Sequence, residues 1–315
     1  MGKVFVFGSV NMDMVFNLKR LPKPGETIKS DDFFMNPGGK GANQAVACAL
    51  FGASTYMLGT VGNDDLALTA KKSLEDYGVN LNYLDSTNRN HTGVAGIFLE
   101  DGENRIVTYS GANSYHNQER ISQILENVGL ESDYLLSQLE VPLEHIEESF
   151  KAAKKKGIIT VLNAAPVQEL PNSILSLVDI LVVNETEAEA LTGIYPHNLD
   201  DVHLTCDKLL RKGVGAILMT LGSKGSYYLS KKEKIITEAF KVDVKDTTAA
   251  GDTFIGSFIA SLVSGNRLKE SLVIASAAAA IAIQRLGAMS SIPNKDEIYD
   301  FLMKRGIINE EANNS

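Results

Sequence analysis

Short apolar runs alternate along this chain with longer segments whose apolar residues recur at helical spacing. The runs Val4–Phe7, Thr55–Thr60, Tyr134–Gln138, Ile158–Asn163, Ile180–Asn184 and Ala216–Thr220 read as strands. Helical patterns cover Gly41–Phe51, Leu66–Tyr77, Leu143–Lys156, Asp200–Arg211, Ala250–Val263 and Leu268–Gln284. This alternation predicts an α/β fold, a three-layer α/β/α sandwich around a mainly parallel sheet. Ligands of such sheets gather at the carboxyl ends of the strands. Asn184 and Thr220 fall at ends of this kind.

Four further segments have β character with no helix between neighbours: Met14–Leu18, Thr27–Phe34, Gly93–Leu99 and Arg105–Ser110. Asp101-Gly102-Glu103-Asn104 reads as the turn between the last two. They predict a small second sheet, formed near residues 14–34 and 93–110, and the pattern leaves open whether it is a fixed extension or a moving cover. No internal repeat and no linker rich in Pro, Ser or Gly interrupts the chain, so residues 1–315 are expected to form a single domain.

Composition narrows the function classes. Apolar residues make up 44% of the 315 and charged residues 22%, which suits a globular protein with a large core. A net charge of −9 argues against nucleic acid or an anionic membrane as the main partner. It does not exclude ATP, because local dipoles and Mg²⁺ can hold phosphate in an acidic protein. Cys48 and Cys206 form no Cys-x-x-Cys pair, and a cytoplasmic protein is expected. His91, His116, His145, His197 and His203 show no metal-ligand spacing, so zinc is not expected. The run at Lys3–Gly8 is too short for a signal peptide, and Leu272–Ile283 is too short to span a membrane.

Two segments carry chemistry. Asp246-Thr247-Thr248-Ala249-Ala250-Gly251-Asp252 leads directly into the apolar run Thr253–Val263. A helix starting at Ala250 would turn unpaired N–H groups and a positive dipole end toward an anion such as phosphate. Asp252 sits at that point, either as a helix cap or as the base that takes a proton from an attacking hydroxyl. The segment alone leaves both open. Asn36-Pro37-Gly38-Gly39-Lys40-Gly41-Ala42-Asn43-Gln44-Ala45 is a glycine loop around a lysine, running into a second helical pattern. Lys40 and Asn43 can donate to hydroxyls. Gly41 follows the lysine where a Walker A loop needs Ser or Thr, so this is not a P-loop. After the first strand, Gly8-Ser9-Val10-Asn11 lacks the Gly-x-Gly-x-x-Gly of a dinucleotide fold. Asn11 and Asp13 instead suit a ligand with several hydroxyls.

These segments resemble the two signatures of the PfkB family of carbohydrate kinases, and within it the ribokinases. Between the signatures lie Asn11-Met12-Asp13, Pro24-Gly25-Glu26-Thr27, Thr92-Gly93-Val94-Ala95, Gly111-Ala112-Asn113, Asn184-Glu185-Thr186-Glu187 and Thr220-Leu221-Gly222-Ser223-Lys224-Gly225, all in the family's order. The resemblance runs from about Val4 to about Leu302. Many members carry Gly-Ala-Gly-Asp where this chain has Ala249-Ala250-Gly251-Asp252.

The resemblance implies a ribokinase-like fold with a β-sheet lid that pairs with the lid of a second subunit, giving a homodimer. It implies ATP-dependent phosphorylation of D-ribose at the 5-hydroxyl, with Asp252 as base and the N–H groups of Ala250, Gly251 and Asp252 as an anion hole. Asn11, Met12, Asp13, Gly39, Lys40, Gly41, Ala42, Asn43 and Glu140 are implied at the sugar. Asn184, Thr220, Leu221, Gly222, Ser223, Lys224, Gly225, Gly251 and Ser276 are implied at the nucleotide. Glu187 is implied to organise Mg²⁺ and phosphate through water. Asp246, Thr248, Ala282, Arg285, Gly287 and Ser291 match a K⁺ site built mostly from backbone carbonyls. The alternatives are a kinase for deoxyribose, a nucleoside or another sugar, or a non-catalytic sugar-binding sensor.

Overall fold

The computed structural model describes residues 2–100 and 103–308. Among them are the strands β1 (Lys3–Phe7), β2 (Asn11–Leu18), β3 (Asp32–Gly38), β4 (Ser54–Gly62), β5 (Leu84–Thr87), β6 (Gly93–Glu100), β7 (Glu103–Tyr109), β8 (Tyr134–Gln138), β9 (Ile159–Asn163), β10 (Ile180–Val183), β11 (Ala216–Thr220), β12 (Ser226–Ser230) and β13 (Lys234–Thr237). The helices are α1 (Lys40–Leu50), α2 (Asp65–Asp76), α3 (Gln118–Val128), α4 (Leu143–Lys155), α5 (Asn172–Leu175), α6 (Glu185–Thr192), α7 (Leu199–Arg211), α8 (Ala250–Val263), α9 (Leu268–Ala282) and α10 (Lys295–Lys304).

The main sheet has the order β13-β12-β11-β10-β9-β8-β1-β4-β5. It is parallel from β5 to β11 and antiparallel at β12 and β13. Alternation along each strand divides its side chains between two cores. On β1, Val4 and Val6 join the core under α1, α8, α9 and α10, whereas Phe5 and Phe7 join the core under α3, α4 and α7. Because both faces are buried, the central strands are largely apolar, as the sequence suggested.

The second sheet has the order β3-β2-β6-β7. It is mixed: two antiparallel pairs are joined by β2 and β6, which run parallel from Asn11↔Gly93 to Leu18↔Glu100. β6 enters from the same end as β2 because the intervening chain passes back through the main body as α1, β4, α2 and β5.

Several boundaries differ from the sequence reading. The strand expected over Thr27–Phe34 begins at Asp32 and runs to Gly38. Pro22 and Pro24 lack N–H donors and Gly25 turns the chain at φ 79°, so residues 27–30 join no ladder. The glycine loop is correspondingly shorter, since Asn36, Pro37 and Gly38 end a strand. Asn184 is the N-cap of α6, not the last residue of a strand. The hairpin β12–β13 and the helices α3, α6 and α10 had no assigned pattern. The turn expected at Asp101–Asn104 begins on residues outside the described ones. Among the described residues, no helix is long and apolar enough to cross a membrane.

The two sheets are joined directly. Only Gly8, Ser9 and Val10 separate β1 from β2, and only Gly39 separates β3 from α1. A β-carbon on Gly41 would lie 2.5 Å from the Ser9 amide nitrogen, so only glycine lets the start of α1 rest against the β1–β2 turn. Gly256 does the same between α8 and α1: a β-carbon there would lie 2.7 Å from the Gln44 carbonyl oxygen. The backbones of α1 and α8 therefore touch, and their first turns converge on one place.

Candidate active site

That place holds Asp252. It lies in the first turn of α8 and is 7% exposed. Asn43 Nδ2 donates to its Oδ2 at 3.0 Å, and Gln44 Nε2 donates to its Oδ1 at 2.9 Å. Burial pushes the Asp252 carboxyl up from the ordinary range, against the pull of Lys40 and of these two donors. A carboxylate so placed is a stronger base than one in water.

The backbone before it is strained. Ala249 sits at φ 56°, alone among the described non-glycine residues in the left-handed region. This is the position at which many members of the resembled family carry glycine. The distortion lets α8 begin abruptly. Thr253 N–H bonds to Ala249 at 2.8 Å, and Ala250 N–H bonds to the Thr247 carbonyl at 3.2 Å. Among the described residues, the Gly251 and Asp252 N–H groups have no acceptor outside the helix ladder. Of the three amides expected to form an anion hole, these two are free. A β-carbon on Gly251 would meet nothing, so the approach to them is open.

The residues expected at the sugar stand opposite. Asn11, Gly38 and Gly93 are side by side at the root of the small sheet. Asn113, in the short 3₁₀ turn after β7, donates from Nδ2 to Asn11 Oδ1 at 2.7 Å and accepts from the Val10 N–H at 3.0 Å. This fixes the Asn11 amide with its own NH₂ group outward. Gly38 leaves room for the Asp13 carboxylate, which a β-carbon would overlap. Met12, between them, is a core residue at 1% exposure, so only its backbone can face a ligand. Glu140 Oε2 accepts from the Lys40 N–H at 3.0 Å and from the Ser9 hydroxyl, which in turn accepts from the Gly41 N–H at 3.2 Å. Ala42 is fully buried. A cavity of about 370 Å³ reaches Asn11 and Glu140 from Ser110, Asn113, Pro142 and Pro166.

Lys40 is the cation of this group. Burial alone lowers its pKa, but Asp252, Glu140 and Glu187 together raise it on balance. Asp13 is pushed up to about 6, by burial first and then by the charges of Glu140 and Asp252. One half-buried ammonium thus faces the three carboxylates of Asp252, Glu140 and Glu187.

The nucleotide-side residues lie along the next strand ends. Asn184 and Glu187 form a reciprocal capping box at the start of α6. Glu187 Oε2 accepts from the Asn184 N–H at 2.9 Å and Oε1 from its Nδ2 at 3.1 Å. Burial raises the Glu187 pKa. Both oxygens are engaged, which fits contact with a metal through water better than direct ligation. Thr220 ends β11, Leu221 is buried in the core beneath it, and Gly222, Ser223 and Lys224 form an exposed 3₁₀ turn closed by Gly225 at φ 99°. Ser276 lies on α9 at 7% exposure.

Asp246 ties the approach to α8 onto the turn after α9. Its Oδ1 accepts from Thr248 N–H at 2.9 Å and Thr248 Oγ1 at 2.6 Å, and its Oδ2 accepts from Gly287 N–H at 2.9 Å. These bonds outweigh burial and hold the carboxyl below its usual range. Arg285 points away, paired with Glu297 at 2.5 Å, so it can offer a cation only its carbonyl. Ala282 and Ser291 are buried, and Ser291 Oγ donates to the Ala288 carbonyl at 2.8 Å. No cluster of three His, Cys, Asp or Glu suited to a metal occurs among the described residues. Asp246 already accepts from three N–H and O–H donors, and the other oxygens here are neutral, which suits a large monovalent cation better than a small divalent one.

Sequence reasoning missed Ser9, Gln44, Gln138 and Asn163, and gave Asn113 no role. The signal was present for three of them. Gln44 follows Asn43 in the glycine loop, and Gln138 and Asn163 are polar ends of otherwise apolar strands.

The family model for pfkB family carbohydrate kinases matches residues 1–295. The chain is 40% identical over 298 residues to a ribokinase of Haemophilus influenzae, covering 94% of this chain and 97% of that protein. It is 34% identical to a deoxyribokinase of Salmonella typhi, covering 95% and 98%. A solved structure of Arabidopsis thaliana ribokinase complexed with ribose and ATP superposes with a TM-score of 0.90 at 35% identity, covering 96% of this chain and 99% of that one.

The raised Asp13 value has a consequence for ligand-free stability. Between its unfolded value of 3.8 and its folded value of about 6, the folded protein holds a proton that the unfolded chain releases. The contribution is full below pH 3.8 and lost as pH rises through about 6. Urea unfolding should therefore show Asp13→Asn gaining on the wild type between about pH 4 and pH 7. A difference that does not change with pH would mean that Asp13 titrates normally.

Proposed function

The chain belongs to the pfkB family of carbohydrate kinases, and from that membership we propose that it transfers the γ-phosphoryl group of ATP to the 5-hydroxyl of D-ribose, giving ribose 5-phosphate and ADP. The observation that carries this reading is the buried Asp252 carboxylate beside two free helix N–H groups and Lys40. Asp252 accepts the proton of the sugar's primary hydroxyl as that oxygen attacks phosphorus. The Gly251 and Asp252 N–H groups stabilise charge on the moving phosphoryl group, at roughly 3–4 kcal/mol for a well-placed donor. Lys40 adds a positive charge, and its donors, with those of Asn11 and Asn43, meet the sugar's oxygens. Asp13 and Glu140 accept from its hydroxyls.

ATP lies along Asn184, Thr220, Gly222–Gly225 and Ser276. Glu187 would address Mg²⁺ brought with ATP, through water, and the ion would neutralise phosphate charge. Asp246, Thr248, Ala282, Arg285, Gly287 and Ser291 would hold K⁺, mostly through backbone carbonyls, and an ion there would steady the strained backbone at Ala249. The apolar residues exposed on the outer strands of the small sheet, Phe33, Met35, Ile106 and Val107, favour pairing of two lids into a homodimer. Two buried free thiols suit the cytoplasm.

A deoxyribose kinase is the competing reading, supported by the Salmonella relative. Ribose is favoured because Asn11 and Asp13 offer paired polar groups that a missing hydroxyl would leave unmatched, at a cost of up to ~10⁴-fold.

A panel of ribose, 2-deoxyribose and nucleosides, with products identified by mass spectrometry, should give ribose 5-phosphate with the highest kcat/KM. An equal or better value for 2-deoxyribose would transfer the assignment to the competing reading. Asp252→Asn should lower kcat by about 10²- to 10⁴-fold while ribose still binds. Turnover above about a tenth of wild type would remove Asp252 as the base.

At constant ionic strength and saturating Mg-ATP, replacing Na⁺ by K⁺ should raise kcat, and Asp246→Ala should abolish the difference. Equal rates in the two salts would dismiss the cation site. Sedimentation should give twice the chain mass of 34.1 kDa. Val107→Glu should halve it, and an unchanged mass would place the dimer contact elsewhere.

A further inference from the structure

The side chain that holds Asp252 from behind is itself held. Gln44, on α1 and fully buried, donates from Nε2 both to Asp252 Oδ1 at 2.9 Å and to Asn163 Oδ1 at 3.1 Å. Its Oε1 accepts from Gln138 Nε2 at 2.7 Å. Gln138 and Asn163 are register partners, the last residues of β8 and β9. The tips of two central strands therefore grip one glutamine between them, and its only other neighbour in the network is the carboxylate. The grip has one sense. With the Gln44 amide reversed, its oxygen would face the Asp252 and Asn163 oxygens and its NH₂ group would face a donor. Gly8 makes the space, since a β-carbon there would overlap Gln138 Oε1.

We propose that Gln44, locked by Gln138 and Asn163, is a positioning residue that fixes the orientation of the Asp252 carboxylate for proton transfer. This rests on the reading of Asp252 as the base. Asn43 and Gln44 each take one carboxylate oxygen, so the plane of the group is set at two points. Asn43 alone would leave rotation about the Cβ–Cγ bond free. The two donors differ in what surrounds them. Asn43 Oδ1 is buried without a partner among the described residues and lies on the residue read as a sugar contact. Gln44 is satisfied wholly by the protein, so its task is complete before substrate arrives. Its hydrogen bond also lowers the Asp252 pKa against the effect of burial. Losing that bond makes the carboxylate harder to ionise, and activity that needs the charged form is then lost at a higher pH.

The experiment compares Gln44→Met, Gln138→Met and Asp252→Asn, alone and with Gln44→Met combined with Asp252→Asn. It measures kcat, both KM values, the pH profile of kcat/KM and the thermal midpoint. Gln44→Met should lower kcat by about 10- to 100-fold, leave the ribose KM within about threefold, and move the acidic limb to higher pH. Gln138→Met should do the same to a smaller extent. In the Asp252→Asn background, Gln44→Met should cost nothing further, because it acts only through that carboxylate. A Gln44→Met enzyme with near wild-type kcat and an unmoved acidic limb would overturn the proposal while leaving the base in place. So would an equal further loss in the Asp252→Asn background. An active Asp252→Asn would instead remove the base itself. If Gln44→Met does not fold, Gln44→Glu takes its place. It keeps the acceptor for Gln138 and sets a second acid against Asp252, so its acidic limb must move in the same direction, and an unmoved limb again overturns the proposal.

Discussion

The contact between α1 and α8 is the constraint on which the rest of this molecule depends. Two helices far apart in sequence meet backbone to backbone because Gly256 has no side chain. The meeting closes a pocket around Asp252 that is dry enough to raise its pKa and polar enough to keep it paired. A buried carboxylate without partners would cost several kcal/mol. Here Asn43, Gln44 and Lys40 supply the partners, and all three come from the first turn or so of α1. One helix therefore delivers the charge compensation for a carboxylate carried on another.

Electrostatics in the site follow from this packing. Lys40 is shared by Asp252, Glu140 and Glu187, and its raised pKa records that it is outnumbered. Asp13, farther from compensation, rises to about 6. The free Gly251 and Asp252 N–H groups provide positive potential without adding another titrating group. That separation lets a carboxylate and unpaired N–H donors occupy adjoining atoms of one helix turn. The strain at Ala249 is the local cost of starting the helix so abruptly.

Much of this was legible in the sequence, and the parts that were not have physical reasons. The central strands of the main sheet announce themselves because burial on both faces makes them largely apolar. The glycine loop and the segment before α8 stand out because close backbone approach demands small residues. The hairpin β12–β13 was missed because its strands are short and carry polar residues at the edge, as in Ser226, Ser230 and Lys234. Helix α6 was hidden inside a motif already read as a ligand contact, although its capping box is plain in Asn184 and Glu187. Gln44, Gln138 and Asn163 were missed for a different reason. Each reads as an ordinary polar residue, and only the register of β8 against β9 shows that they converge.

The way the small sheet is rooted decides how it can move. Its strands β2, β3 and β6 all enter the body along one line, at Asn11, Gly38 and Gly93. A plate fixed along one edge has one easy motion, a rotation about that edge. Displacement then grows with distance from the line. A strand of seven residues extends roughly 23 Å, so a tilt of about 10° carries its far end some 4 Å and its root almost nowhere. Asn11, Gly38 and Gly93 lie on that line and would keep their geometry toward the body under such a tilt. Phe33 and Leu99, near the opposite edge, lie farthest from the line and would be carried the most.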